Sequence, residues 1–193
     1  MNKKLSLFVA VLLLLTMLLP TGASAATTVS LRNGIKFGDT MAQVIAKETL
    51  AISSRDTNKV ETVAGTIYVG STAIHNVSIV YHFDSYGRLC DIVWMLPTGN
   101  SYAMMNTFGA IYEYHKAIYG SPNSRNYSVR GKAYNGAVDL VGIYKMCGMY
   151  GAIAAYDEWV LGDTKIEMVM VEMGTSRYKT EYVGFIGFKY VGR

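Results

Sequence analysis

From Lys59 to Leu96 the apolar residues of this chain recur at every second position, and no other feature restricts its fold as tightly. Val77, Ile79, Tyr81 and Phe83 alternate with Ser78, Val80 and His82, the pattern of a strand with one buried face. Before them, Thr66 to Val69 is β-branched and aromatic and ends at a Gly70-Ser71 turn. After them, Asp84-Ser85-Tyr86-Gly87 reads as a hairpin turn with glycine placed for positive φ. It leads into Arg88 to Leu96, where Cys90, Ile92, Trp94 and Leu96 fall on one face. The expectation is a three-stranded antiparallel meander.

Outside this stretch the period is that of a helix. Thr40-Met41-Ala42-Gln43 has the form of a capping box, followed by Val44 and Ile45, and predicts a helix from about Thr40 to Leu50. Ser101 can cap a second helix carrying Met104, Met105, Phe108, Ile111, Tyr112, His115, Ile118 and Tyr119 as one stripe. Gly120 and Pro122 stop it. Residues 121–136 are polar and rich in Gly, Ser and Asn, and read as a long loop. From Ala137 to Met149, Leu140, Val141, Tyr144 and Cys147 suit a third helix, although Gly142 and Gly148 weaken it. Strands then return at Ile153 to Leu161, Lys165 to Met173 and Tyr182 to Val191, with turns at Gly162-Asp163 and through Gly174 and Ser176. Ile166, Met168 and Met170 line one face of the middle strand, and Ile186, Phe188 and Tyr190 one face of the last.

The order α-βββ-α(α)-βββ predicts the α+β class: one antiparallel sheet of about six strands with helices packed on one face. The second half looks like an enlarged copy of the first, so 26–99 and 100–193 are candidate half-repeats of a single domain over residues 26–193.

Residues 1–25 read as a signal peptide. Lys3 and Lys4 precede an apolar run from Leu5 to Leu19, Pro20 ends it, and Ala23-Ser24-Ala25 offers small residues for cleavage near Ala25. The run is short for a bilayer span, and no cysteine follows for a lipid anchor. The expectation is a secreted or extracytoplasmic protein with no stable membrane insertion after cleavage. Without Lys3 and Lys4 the remaining chain carries 16 basic and 14 acidic residues, a net charge of +2 with no basic stripe, which argues against a nucleic-acid partner. Two cysteines, Cys90 and Cys147, lie in a compartment that permits a disulfide. A bridge between them and a pair of separate buried thiols both fit the sequence.

Chemistry is sparse. The chain has three histidines: His75 near a strand start, His82 on the more polar face of its strand, and His115 on the helical stripe, where a satisfied, partly buried role is expected. No G-x-S-x-G, Ser-x-x-Lys, His-Glu-x-x-His or phosphate-cradling glycine loop occurs, and no Cys or His spacing suggests zinc. No catalytic, cofactor-binding or metal-ligating residue is assigned, and no cofactor is expected. Asp157-Glu158 beside Trp159 resembles a glycosidase carboxylate with an aromatic platform, but adjacent strand residues point to opposite faces. Glu158 with Glu167 across a hairpin stays geometrically open. All 15 tyrosines follow the leader, and Tyr86, Tyr127, Tyr134 and Tyr178 fall in turns and loops, where they form a candidate binding surface.

The stretch Gly34-Ile35-Lys36-Phe37-Gly38-Asp39-Thr40-Met41-Ala42-Gln43-Val44 resembles the I-x-x-G-M-T-x-x-Q-V helix entry of β-lactamase-inhibitor-protein-like folds and of small outer-membrane assembly lipoproteins of the SmpA/OmlA type. Asp39 stands where that motif has Met. Tyr119-Gly120-Ser121-Pro122, and Trp159 followed by Thr164 to Met168, are similar to uncharacterised exported bacterial proteins. The resemblance implies helices on an antiparallel sheet and roles in protein binding, not inhibition of a β-lactamase. The expected function is an exported, non-enzymatic binding module for a protein or other component of the bacterial cell envelope. The alternative is a wall-polysaccharide binder or weak glycan hydrolase using Trp159 with Glu158 or Glu167. If the leader is processed as read here, N-terminal sequencing of the exported protein begins at Ala26; an intact Met1 terminus contradicts that reading.

Overall fold

A computed structural model describes residues 29–97, 99, 101–129, 132–134, 153–176 and 179–192. The leader, the helix expected over 137–149, Cys147 and Tyr178 lie outside the described residues. Helix α1 (Met41–Lys47) is followed by β1 (Ile52–Arg55), β2 (Lys59–Thr62), β3 (Gly65–Val69), β4 (Thr72–Phe83) and β5 (Leu89–Met95). Helix α2 (Ser101–Tyr119) then precedes β6 (Ser124–Val129), β7 (Lys132–Tyr134), β8 (Ile153–Leu161), β9 (Thr164–Ser176) and β10 (Lys179–Tyr190).

Nine strands run in the order β1-β2-β4-β5-β10-β9-β8-β6-β7, and β3 pairs with the first half of β4 as a tenth. Every pairing between these strands is antiparallel. The α+β class stands, and the expected count of about six strands is corrected upward. The additional strands are short and polar: Ile-Ser-Ser-Arg in β1, Lys-Val-Glu-Thr in β2, Lys-Ala-Tyr in β7. They lie toward the sheet's ends, where backbone pairing suffices and little alternation is written into the side chains. The expected loop over 121–136 is likewise corrected, because β6 and β7 form a hairpin there.

Local chemistry sets the elements as the residues suggest. Thr40 Oγ1 accepts from the Gln43 amide at 3.4 Å while Gln43 Oε1 accepts from the Thr40 amide at 2.8 Å, a complete capping box. Helix α1 stops at Lys47, not Leu50, because the next residue turns its side chain inward. The Glu48 carboxylate accepts from Arg32 at 3.0 Å, from the amides of Thr49 and Leu50 at 2.7 Å each, and from the Tyr81 hydroxyl. At the β4–β5 turn Gly87 takes φ 70, and Asp84 Oδ1 accepts from the amides of Tyr86 and Arg88. Strand β9 continues to Ser176 in place of the turn expected through Gly174, with a register shift opposite Glu181 and Tyr182.

Both helices cover the same face of the sheet. Buried residues of β4, β5, β8, β9 and β10 meet Val44 of α1 and Met104, Phe108, Ile111 and Tyr112 of α2 in one core. Three expected positions differ. A register shift at His82/Phe83 makes Cys90 the extra residue of a bulge, so Leu89, 2% exposed, takes the inward place beside Ile92 and Trp94. Ile118 is 47% exposed and does not belong to the buried stripe of α2, and Tyr190 is exposed at the end of β10. Among the described residues, no helix is long and apolar enough to cross a membrane.

The helix layer sits close on β10 because Gly184 has no side chain: a Cβ there would lie 2.8 Å from Leu96 Cδ1 and 3.0 Å from Met104 Sδ. Gly184→Val is therefore expected to cost about 1–3 kcal/mol, read as a lowered midpoint in urea unfolding.

Candidate functional site

The face of the sheet opposite α1 and α2 is the candidate site, built from the alternate residues of the central strands. Cross-strand register places Val80 beside Val93, Val93 beside Gly187, and Gly187 beside Glu167, which in turn faces Glu158. The next row runs Ser78, Met95, Phe185, Val169, Tyr156. Val80 is buried among its neighbours; Val93, Met95, Val169 and Phe185 are half-buried. A third row carries His82, Asp91, Lys189 and Lys165. This outer face thus has an apolar middle with charged groups beside it, and among the described residues neither helix lies on it.

One side of the face is an ordered polar cluster. The Tyr156 hydroxyl lies 2.6 Å from Glu158 Oε2 and 2.9 Å from Glu167 Oε1. Lys165 Nζ is 2.8 Å from Glu167 Oε1 and 3.4 Å from Glu158 Oε2. Burial and its two carboxylate partners push the Tyr156 phenol up, and the Glu167 carboxylate raises Lys165. Burial alone would raise Glu167, but the Lys165 ammonium and Tyr156 hydroxyl outweigh it and hold that carboxyl below its ordinary range. Glu167 is therefore ionised at neutral pH.

The structure brings Glu158 and Glu167 together, as the hairpin geometry allows, but sends Trp159 to the other side. Trp159 is 0% exposed, packs against Tyr112 and His115, and its indole N–H donates to the Gly120 carbonyl at 2.9 Å. It offers no platform beside the two carboxylates. Asp157, its other expected neighbour, is also buried, ion-paired to Arg125 at 2.9 Å, and that guanidinium lies over the Tyr112 ring. Of the four tyrosines expected to form a surface, Tyr86 is exposed at the β4–β5 turn. Tyr127 and Tyr134 are strand residues paired across the β6–β7 hairpin, a correction of their loop placement. The apolar outer patch was missed because Val80, Val93 and Val169 occupy positions that the alternation assigns to solvent.

A cleft of about 720 Å³ opens at one end of the sheet, lined among others by Lys36, Phe37, Asp84, Arg88, Asp163 and Tyr190. Tyr86 is not among its lining residues. Cys90 touches its wall; burial and the nearby Asp84 and Asp91 carboxylates push that thiol up, away from reactivity. Among the described residues, no group of three or more His, Cys, Asp or Glu side chains is placed to hold a metal ion.

The histidines separate clearly. His75 is exposed beside Thr66, and His82 is 3.2 Å from Asp91. His115 is 2% exposed among the rings of Tyr114, Tyr119, Trp159 and Phe188, and its Nδ1 has no hydrogen-bond partner among the described residues. It is more deeply buried and less satisfied than the sequence suggests. Burial lowers it from 6.5 to about 4.

Compared with protein-family models, curated proteins and solved structures, the chain matches none. Its class is defined by its own geometry, an antiparallel α+β sheet with one face under helices and an apolar, charge-bordered face opposite.

The lowered His115 pKa has a definite sign. The unfolded chain takes up this proton below pH 6.5 while the folded protein resists until about pH 4, so stability falls as pH drops through that window. Urea unfolding should show about 1 kcal/mol less stability at pH 5.5 than at pH 7 from this group. His115→Leu should flatten that difference; an unchanged slope in the variant contradicts the assignment.

Proposed function

We propose that this chain is an exported, non-enzymatic binding module that engages another protein through the outer face of its sheet. The observation that carries the reading is the apolar patch of Val80, Val93, Met95, Phe185 and Val169, spread over two adjacent cross-strand rows on the face away from the helices and bordered by the Tyr156-Glu158-Lys165-Glu167 cluster and by His82, Asp91 and Lys189. An apolar centre with a polar border is the anatomy of a protein interface, where aromatic and Met side chains are enriched. A rigid sheet presents such a patch with little ordering cost. The secretory leader read from residues 1–25 supports an encounter outside the cytoplasm.

Sugar hydrolysis draws less support. Glu158 and Glu167 are bonded to one tyrosine and one lysine on a sheet surface, and Trp159 faces the core. A glycosidase needs its carboxylates across a bound sugar ring.

Proteins of the same cell's envelope captured on the immobilised chain, identified by mass spectrometry, test the reading. Wild-type protein is expected to retain a partner that Phe185→Asp loses, with both forms giving the same circular dichroism. Recovery of nothing above a denatured control, or equal recovery by Phe185→Asp, contradicts it.

A further inference from the structure

Strand β10 carries two interior glycines, Gly184 and Gly187, which face opposite sides of the sheet. The first is explained by packing, since Leu96 and Met104 occupy the space its side chain would need. The second is not. Gly187 has no positive φ, and a Cβ on it would meet nothing nearer than 3.9 Å, so neither backbone conformation nor crowding calls for glycine there. Glycine inside a strand weakens it, and besides bulges and bends one recurring reason for it is the close approach of a ligand or another chain.

The opening over Gly187 has definite walls. Val93 lies across from it on β5 and Glu167 on β9, with Phe185 and Lys189 two residues to either side along β10. Glu167 uses Oε1 for both Tyr156 and Lys165. Its Oε2 accepts from none of the described residues and lies 4.0 Å from the position of the missing Cβ. An ionised carboxylate thus presents an unused oxygen to a gap one side chain wide, beside an aromatic ring and a valine.

Building on the protein-binding reading, we infer that the opening over Gly187 is a socket for an arginine side chain of the partner. The guanidinium would donate to Glu167 Oε2, its flat face would lie on the Phe185 ring, and its methylene stem would cover Val93. Around the socket Glu158, Glu167 and Asp91 outnumber Lys165 and Lys189 by one charge, and Lys165 is shared between the two glutamates. Arginine fits better than lysine because the wall offers one oxygen and one ring, which a planar donor can use together.

The experiment is a titration of isotope-labelled full-length mature protein with N-acetyl-arginine-methylamide, followed by backbone amide shifts. The lysine and norleucine analogues serve as comparators, and Gly187→Val and Glu167→Gln as variants. Saturable shifts centred on Gly187, Val93 and Phe185 are expected for the arginine probe, weaker by about tenfold or more in either variant and for either comparator. Gly187→Val has room for its side chain and a strand-favouring residue, so its melting temperature should equal or exceed wild type, separating lost binding from lost fold. No saturable shift at Gly187, equal binding of the lysine probe, or unchanged binding by Gly187→Val overturns the inference. A captured protein that Gly187→Val still retains removes the socket and leaves the protein-binding reading standing; failure of the capture itself removes only that reading.

Discussion

The pairing of β5 with β10 is the contact on which the remainder of the molecule rests. It joins residues about 90 positions apart, Met95 to Phe185 and Asp91 to Lys189, and without it each half would keep its own small sheet with two open edges. The entropy of closing so long a loop grows slowly with its length. Burial across the join offsets it: Trp94 and Phe188 meet at 4.9 Å under the helices, and Ile92 and Ile186 are buried with them. Each half runs helix first and strands after, and the last strands of the two halves meet at this seam.

Because side chains alternate, the seam also creates two unlike faces. Inward residues are mostly apolar; Glu48 is engaged with Arg32 and Tyr81 and Asp157 with Arg125, while His115 Nδ1 has no partner among the described residues. Such buried ion pairs do little for net stability but are costly to break, so they pin the lead-in, α1 and β6 in place. Outward residues combine half-buried aliphatic and aromatic groups with a charged cluster in which Glu167 Oε2 accepts from none of the described residues. Gly184 and Gly187, three residues apart on one strand, serve the two faces in different ways. One lets a helix approach, and the other leaves a space that nothing within the described residues fills.

Much of this was legible in the residues. The alternation of Val77 to Phe83, the capping box at Thr40 and the stripe from Met104 to His115 each state their structure locally, and the antiparallel α+β class follows from their order. What stayed hidden depends on neighbours distant in sequence. The Cys90 bulge shifts which residue points inward, and β1, β2 and β7 hold their places by backbone pairing while their side chains look like loop. Burial of Trp159 follows from α2 lying over β8, which no spacing in the β8 sequence reveals. The apolar outer patch is visible only once β4, β5, β10 and β9 are set side by side, since Val93 and Val169 look unremarkable within their own strands.

Relaxation of methyl signals by a soluble gadolinium chelate measures most directly whether the sheet has one covered and one open face. The account predicts strong broadening for the methyls of Val93, Met95 and Val169 and protection for those of Ile92, Ile166 and Ile186. Equal protection of both sets would mean that the outer face is covered within the chain itself, and would contradict the account.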